Sequence, residues 1–297
     1  MSRLFQAYVM VDWSAAAKPT TGPDSIWVGV MKRNVRFQHA FESHNPATRA
    51  EAEKLIDATL HDLARKGERT LVGFDFPLGF PRGTAAALKR TGAPWRALID
   101  YVAAESKDKP TNANNRFQVG AKMNRLMTGE PFPFWGCPAR DAQAMLQTKR
   151  PREHGPDDLP EFRIAEKALR TPSSVWKLYY QGSVGGQAIT GLPVVKRLRD
   201  ARGEAARIWP FETGWKTLAP ADLEGVDCVF AEIYPSQNDV RPQPGEIKDQ
   251  AQVRVAAERF AQLDAQGGLG RLFGPAKDDS RRTVVEQEEG WILGANF

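Results

Sequence analysis

Hydrophobic and polar positions along the first 75 residues switch between two periods. AYVMVDW (Ala7 to Trp13) is a β-branched, apolar run, SIWVGVM (Ser25 to Met31) is a second, and VRFQHAF (Val35 to Phe41) alternates with period two. All three predict strands, and the short Lys32-Arg33-Asn34 link predicts a hairpin between the last two. In ATRAEAEKLIDATLHDLARKG the period lengthens: Ala52, Leu55, Ile56, Leu60 and Leu63 recur at helical spacing, and Gly67 supplies the stop. RTLVGFDFPLGF returns to strand from Thr70 and breaks in a turn at Pro77 and Gly79. The predicted order is β-β-β-α-β.

From residue 83 to 205 the sequence becomes rich in Pro, Arg and Asn, with scattered helical stretches and Gly turns. It reads as an insertion of helix and loop covering one edge of a sheet, with KRPREHGPDDLPEF (Lys149 to Phe162) as its most disorder-prone part. Strands resume in ARIWPFE (Ala206 to Glu212) and DCVFAEIYP (Asp227 to Pro235), and KDQAQVRVAAERFAQLDAQGG (Lys248 to Gly268) is a helix ended by glycine. The expected fold is α/β, a mixed sheet with flanking helices. Residues 1–82 and 206–297 form the two parts of one interrupted domain around the 83–205 insertion.

At 297 residues the chain is long enough to bury a large core without disulfide or structural metal. Its two cysteines, Cys137 and Cys228, form no CxxC pair or zinc spacing, which fits a reducing, cytoplasmic setting. Polar residues interrupt the first apolar run, so it reads as a strand and not a signal peptide, and a mean hydropathy of −0.47 goes with the absence of any membrane-length apolar run. Forty-one Lys and Arg against 36 Asp and Glu leave a charge of +5, which permits a polyanionic partner without requiring one.

The chemistry lies in acids at the ends of predicted strands, where open α/β sheets place their sites. Asp12 follows YVMV, Asp75 follows TLVGF and Glu232 follows CVFA. A carboxylate at the edge of an apolar strand is costly to bury unless it is paired or bound to a cation. Three of them point to a shared Mg²⁺ or Mn²⁺ centre, held by hard oxygen ligands. Asp249, in the first turn of the following helix, is a fourth candidate, with a helix-start acid as its plainer reading.

The motifs VDWSA (Val11 to Ala15), GFDFPLGFP (Gly73 to Pro81), AEIYPS (Ala231 to Ser236) and EEGWILG (Glu288 to Gly294), in that order, resemble an uncharacterised bacterial family described as predicted nucleases with an RNase H-like fold. The resemblance implies three antiparallel strands, a helix and a fourth strand parallel to the first. It makes Asp12 and Asp75 metal ligands of the first and fourth strands, with Glu232 and Asp249 as the later acids. It also implies phosphodiester hydrolysis with two metals about 3.5–4 Å apart. A final helix carrying the last acid is not evident, so Asp278, Asp279, Glu286, Glu288 and Glu289 stand as substitutes.

A substrate face is expected from NANNRFQVGAKMNR, with Arg116, Lys122 and Arg125, running into the aromatic PFPFWG. Basic residues interleaved with rings suit single-stranded nucleic acid; a solvated helix face followed by a packed loop is the plainer reading. SSVWKLYYQGSVGGQAITG resembles a Gly-rich anion loop, with Lys177 ahead of Gly182, Gly185, Gly186 and Gly191. Ser14 and Lys248, beside Asp12 and Asp249, are further phosphate contacts. Trp135, Trp209 and Trp215 are candidate groove residues. His39, His44, His61 and His154 form no metal motif, and Cys137 has no evident activating base. A metal-dependent nuclease is therefore the leading expectation. The alternatives are a small-molecule phosphotransferase of the actin and sugar-kinase type, and a nucleic-acid-binding module without catalysis.

Overall fold

The computed structural model describes residues 3–33, 38–169, 171–237, 239–275 and 277–295. Six strands, β1 (Ala7–Asp12), β2 (Trp27–Arg33), β3 (His39–His44), β4 (Thr70–Phe74), β5 (Ala206–Ile208) and β6 (Cys228–Glu232), form one sheet in the order β3-β2-β1-β4-β6-β5. β2 runs antiparallel to β1 and β3, while β1, β4, β6 and β5 are mutually parallel and share one carboxyl edge. The third strand lies a few residues later than its pattern predicts. Asn34 and the first residues of that predicted strand fall outside the described residues.

The strands alternate strictly, because each side chain faces opposite its neighbour. Ala7, Val9, Val11, Val28, Val30, Val72, Phe74 and Phe230 pack into one core cluster. Tyr8, Met10, Leu71, Val229, Ala231 and Ile233 pack into another on the opposite face. The first face is covered by α1 (Arg49–Arg65), α3 (Pro94–Glu105), α4 (Arg116–Met127) and α5 (Val184–Asp200). The second is covered by α6 (Lys248–Ala265) and the chain that follows it. Thr48 starts α1 with a capping box: its hydroxyl accepts from Glu51 N–H, and the Glu51 carboxylate reaches back to Thr48 N–H.

The 83–205 segment supplies the four-residue α2 (Thr84–Ala87), α3, α4, α5 and short 3₁₀ turns; the apolar side chains of these helices join the first cluster, while Ala165 joins the second. Lys149 to Phe162 lacks regular secondary structure yet is tied down. Arg150 pairs with Glu153 and Glu161, Arg152 pairs with Asp158 at 2.5 Å, and Trp176 Nε1 donates to Pro160 O. The aromatic PFPFWG segment is also core: Phe132 and Phe134 are buried, so they present no stacking surface. No described helix is long and apolar enough to cross a membrane.

Candidate active site

β1 and β4 pair with Val11 opposite Phe74, so the next residues, Asp12 and Asp75, emerge side by side beyond the ladder. Both have the parity of the α6 face, since Tyr8 and Met10 precede one and Leu71 and Gly73 precede the other. Gly73 is needed for this packing: a Cβ there would meet Ile233 Cγ2 and Met10 Sδ at 2.8 Å. The two carboxyls lie within hydrogen-bonding reach of each other, so a shared proton relieves their repulsion. Asp75 Oδ1 also accepts from Trp13 N–H at 2.8 Å, and Gln187 Nε2 lies 3.5 Å from Asp75 Oδ2 while donating to Trp13 O.

Both acids ionise only well above the usual carboxylate range. For Asp12 the causes are burial, then the charges of Asp75, Asp249 and Asp24. For Asp75 burial dominates, opposed by backbone hydrogen bonds from Trp13 and from its own N–H. By surface area both are only half-buried, because they line a pocket while protein atoms crowd them elsewhere. Among the described residues no Lys or Arg forms an ion pair with either.

The pocket has a volume of about 890 Å³, within the roughly 300–1,000 Å³ usual for ligand sites. Asp249 reaches it from the first turn of α6, where it caps nothing in its own helix. Its Oδ2 instead accepts from Asp24 N–H at 2.7 Å and braces the 22–25 turn. Asp24 was not legible as a site residue; its only sequence signal is the turn-forming PDS, and it adopts φ 56° there. Ser14 lines the pocket, its hydroxyl donating to Asp24 O, and Lys248 lies exposed at its edge.

The pocket is also lined by Arg116, the first residue of α4. Its guanidinium stacks 4.2 Å over Phe117, one Nη donates to Asn114 Oδ1, and its buried Nε has no hydrogen-bond partner. Burial lowers its pKa to about 10, with Arg49 adding to the effect, so it stays charged at neutral pH.

Glu232 does not join this group. Phe74 pairs with Glu232, so Glu232 has the parity of Phe230 and faces the other side of the sheet from Asp75; the site-facing position is Ile233. There Glu232 forms a double ion pair with Arg163, at 2.8 and 2.6 Å, and accepts from Leu78 N–H. Arg163 also pairs with Glu166; though burial opposes its charge, the two carboxylates keep it ionised.

The acids proposed as substitutes for a last ligand are likewise occupied. Glu288 accepts from Gly83 and Ala85 N–H, Glu289 from Arg82 and Ile164 N–H, and Glu286 from Trp215 N–H. Asp278 and Asp279 pair with Arg282 and Arg281.

Three basic candidates lie away from the pocket. Lys122 pairs with Glu105, Arg125 projects from the exposed side of α4, and Lys177 donates to Gln181 O while approaching Trp135. Of the glycines expected to form an anion loop, Gly182 lines the pocket and the other three serve packing instead. Gly185, Gly186 and Gly191 lie inside α5, where a Cβ would strike Val175 O, Leu178 O and the Phe76 ring. Trp209 and Trp215 are core residues, and the aromatic side chains that line the pocket are Trp13, Tyr179, Tyr180 and Tyr234. None of the four histidines lines it, and both cysteines are buried thiols, with Cys228 pushed up to about 12 by burial.

Among the described residues no three His, Cys, Asp or Glu side chains converge into a ready-made metal cage. The donor set that does exist is oxygen-only: two adjoining carboxylates that lack a counter-cation, with Asp249 close enough to raise the pKa of both and Asp24 that of Asp12. That set fits a hard dication, which takes one or two carboxylates and completes its shell with water and substrate oxygens. No family model, curated protein or solved structure matches the chain.

Proposed function

We propose that the chain is a metal-dependent phosphodiesterase acting on nucleic acid, on an RNase H-like sheet. One observation carries this reading: two adjoining carboxyls at the carboxyl ends of neighbouring parallel strands, crowded enough to hold a proton, line a pocket that Arg116 also lines. The strand order, with three antiparallel strands, a helix and a fourth strand parallel to the first, agrees with the sequence resemblance.

Asp12 and Asp75 would hold Mg²⁺ or Mn²⁺, which supplies Lewis-acid activation of water and of the phosphate. The protein's own groups do the rest. Asp75 is oriented by Trp13 N–H on Oδ1, with Gln187 Nε2 beside Oδ2, so its carboxyl is held in place before substrate arrives. Asp249 and the 22–25 turn brace each other, which holds two further acids at the mouth. Arg116, which lines the pocket, sets a positive charge beside a bound phosphate, where it acts in a partly desolvated setting.

The phosphotransferase reading is less well supported, because Gly185, Gly186 and Gly191 of its nucleotide loop are consumed in helix packing and only Gly182 lines the pocket. A non-catalytic module remains a distinct outcome of the test. Calorimetric titration with Mn²⁺ should give binding in wild type that Asp12→Asn loses, and cleavage of a labelled oligonucleotide should require the metal and fail in the same variant. Cleavage that persists in both Asp12→Asn and Asp75→Asn overturns the proposal.

A further inference from the structure

Of the large apolar side chains that stay exposed among the described residues, two of the three are Tyr179, 36% exposed, and Tyr180, 49% exposed. Both line the pocket that holds Asp12 and Asp75. They belong to one continuous stack running from a buried charge to the surface. The Arg116 guanidinium lies 4.2 Å over the Phe117 ring, Phe117 meets Tyr179 edge-on at 6.1 Å, and Tyr179 meets Tyr180 at 4.7 Å. Arg116 is 7% exposed, and its Nε, which faces no acceptor, is the buried end of that stack.

Tyr180 is held in a conformation that costs energy. Its φ is 75°, in the left-handed region that a side chain disfavours, and its hydroxyl donates to Cys137 O. A strained, half-exposed ring at the rim of a polar pocket does little for the core, since its outer face has no apolar partner. A flat, sequence-tolerant ligand supplies one: nucleobases stack on such rings, provided they are not already stacked in a duplex.

We propose that the pocket admits one unstacked nucleotide, its base on Tyr180 and its phosphate against Arg116, so that the substrate is single-stranded nucleic acid and not duplex. The inference rests on the phosphodiesterase reading for the fate of the phosphate, but it makes a claim about binding that can fail separately.

The test uses the full wild-type chain, with both carboxylates in place, and measures fluorescence anisotropy of a labelled ten-nucleotide single strand and of its blunt duplex in Ca²⁺, an oxygen-seeking dication that offsets the acids, with the strand checked by gel for cleavage. The single strand should bind at least tenfold more tightly. Tyr180→Gly removes the ring at a backbone angle where glycine is at ease, so its melting temperature should match the parent. It should weaken single-strand binding about tenfold to a hundredfold, the range for losing one stacking ring, with no change for duplex. Tyr180→Phe should keep the parent affinity, and Arg116→Gln should weaken binding without removing the preference for single strands. Equal affinity for the two forms, no effect of Tyr180→Gly, or no binding of either form overturns the inference. Metal-dependent chemistry is judged independently by the Mn²⁺ titration of wild type.

Discussion

Asp12 and Asp75 are a liability to the folded chain, and that gives them a measurable signature. Both carboxyls have raised pKa values, chiefly through burial, so the folded state binds protons that the unfolded state has released. Their favourable protonated pairing is fully present below the unfolded value, near 4, and is lost as the pH rises through the folded values. In metal-free protein, Asp12→Asn should therefore raise the melting temperature by about 2–4 °C at pH 8 and by much less at pH 4, and millimolar Mg²⁺ should narrow that difference. A variant that melts below wild type at pH 8 contradicts this account. Glu232 differs in having a counter-charge: burial raises its pKa too, but Arg163 opposes that shift and pairs with it. Glu232→Gln breaks a buried pair and should cost about 3 kcal/mol in urea unfolding, while Mn²⁺ affinity stays within twofold of wild type. Loss of metal binding in that variant would return Glu232 to the site. The difference between these acids was present in the sequence as parity: Asp12 and Asp75 extend the Tyr8-Met10 and Leu71-Gly73 faces, whereas Glu232 extends the face of Phe230. Position at a strand end placed all three near one edge; only the side on which each points separates them.

At the scale of elements, α5 is seated by glycine. A Cβ at Gly185 would lie 2.0 Å from Val175 O, and one at Gly191 would lie 2.2 Å from the Phe76 ring. Backbone cannot yield as a flexible side chain does, so Gly185→Ala should cost about 1–3 kcal/mol and also lower activity, because Gln181, Gly182, Ser183 and Gln187 at the start of α5 line the pocket. Unchanged stability in that variant contradicts the close approach. Strands and helices with clear periods, such as β1, β4, α1 and α6, were legible because their spacing is a local property. The use of Gly185, Gly186 and Gly191 was not, since glycine for phosphate and glycine for a neighbouring backbone read alike until the neighbour is known. The same ambiguity hid Tyr179 and Tyr180, which follow the apolar Val175-Trp176 and look like its continuation.

Across the whole molecule the +5 charge does not converge on the pocket. Lys122, Arg96, Arg152 and Arg197 are tied up in ion pairs elsewhere, and the pocket lining carries four aspartates against Arg116 and Lys248. Phosphate should be repelled from such a site until a dication offsets the acids. Oligonucleotide affinity should accordingly rise with Mg²⁺ at constant ionic strength, the reverse of a basic-patch binder, for which Mg²⁺ competes. With two basic residues available, the log–log dependence on monovalent salt should have a slope between about −1 and −2. A monotonic fall with Mg²⁺, or a slope several units steeper, places the nucleic acid elsewhere.

The sheet also has a history in time. β4 occupies the centre of the finished sheet, between β1 and β6, yet β6 is synthesised about 150 residues later. At 5–20 residues per second, the Leu71–Phe74 edge waits roughly 8–30 s on the ribosome for its neighbour, with its amides and carbonyls open to any passing strand. The nascent first part of this chain is thus a natural client for chaperones, and a fragment ending before β6 should aggregate where the full chain does not.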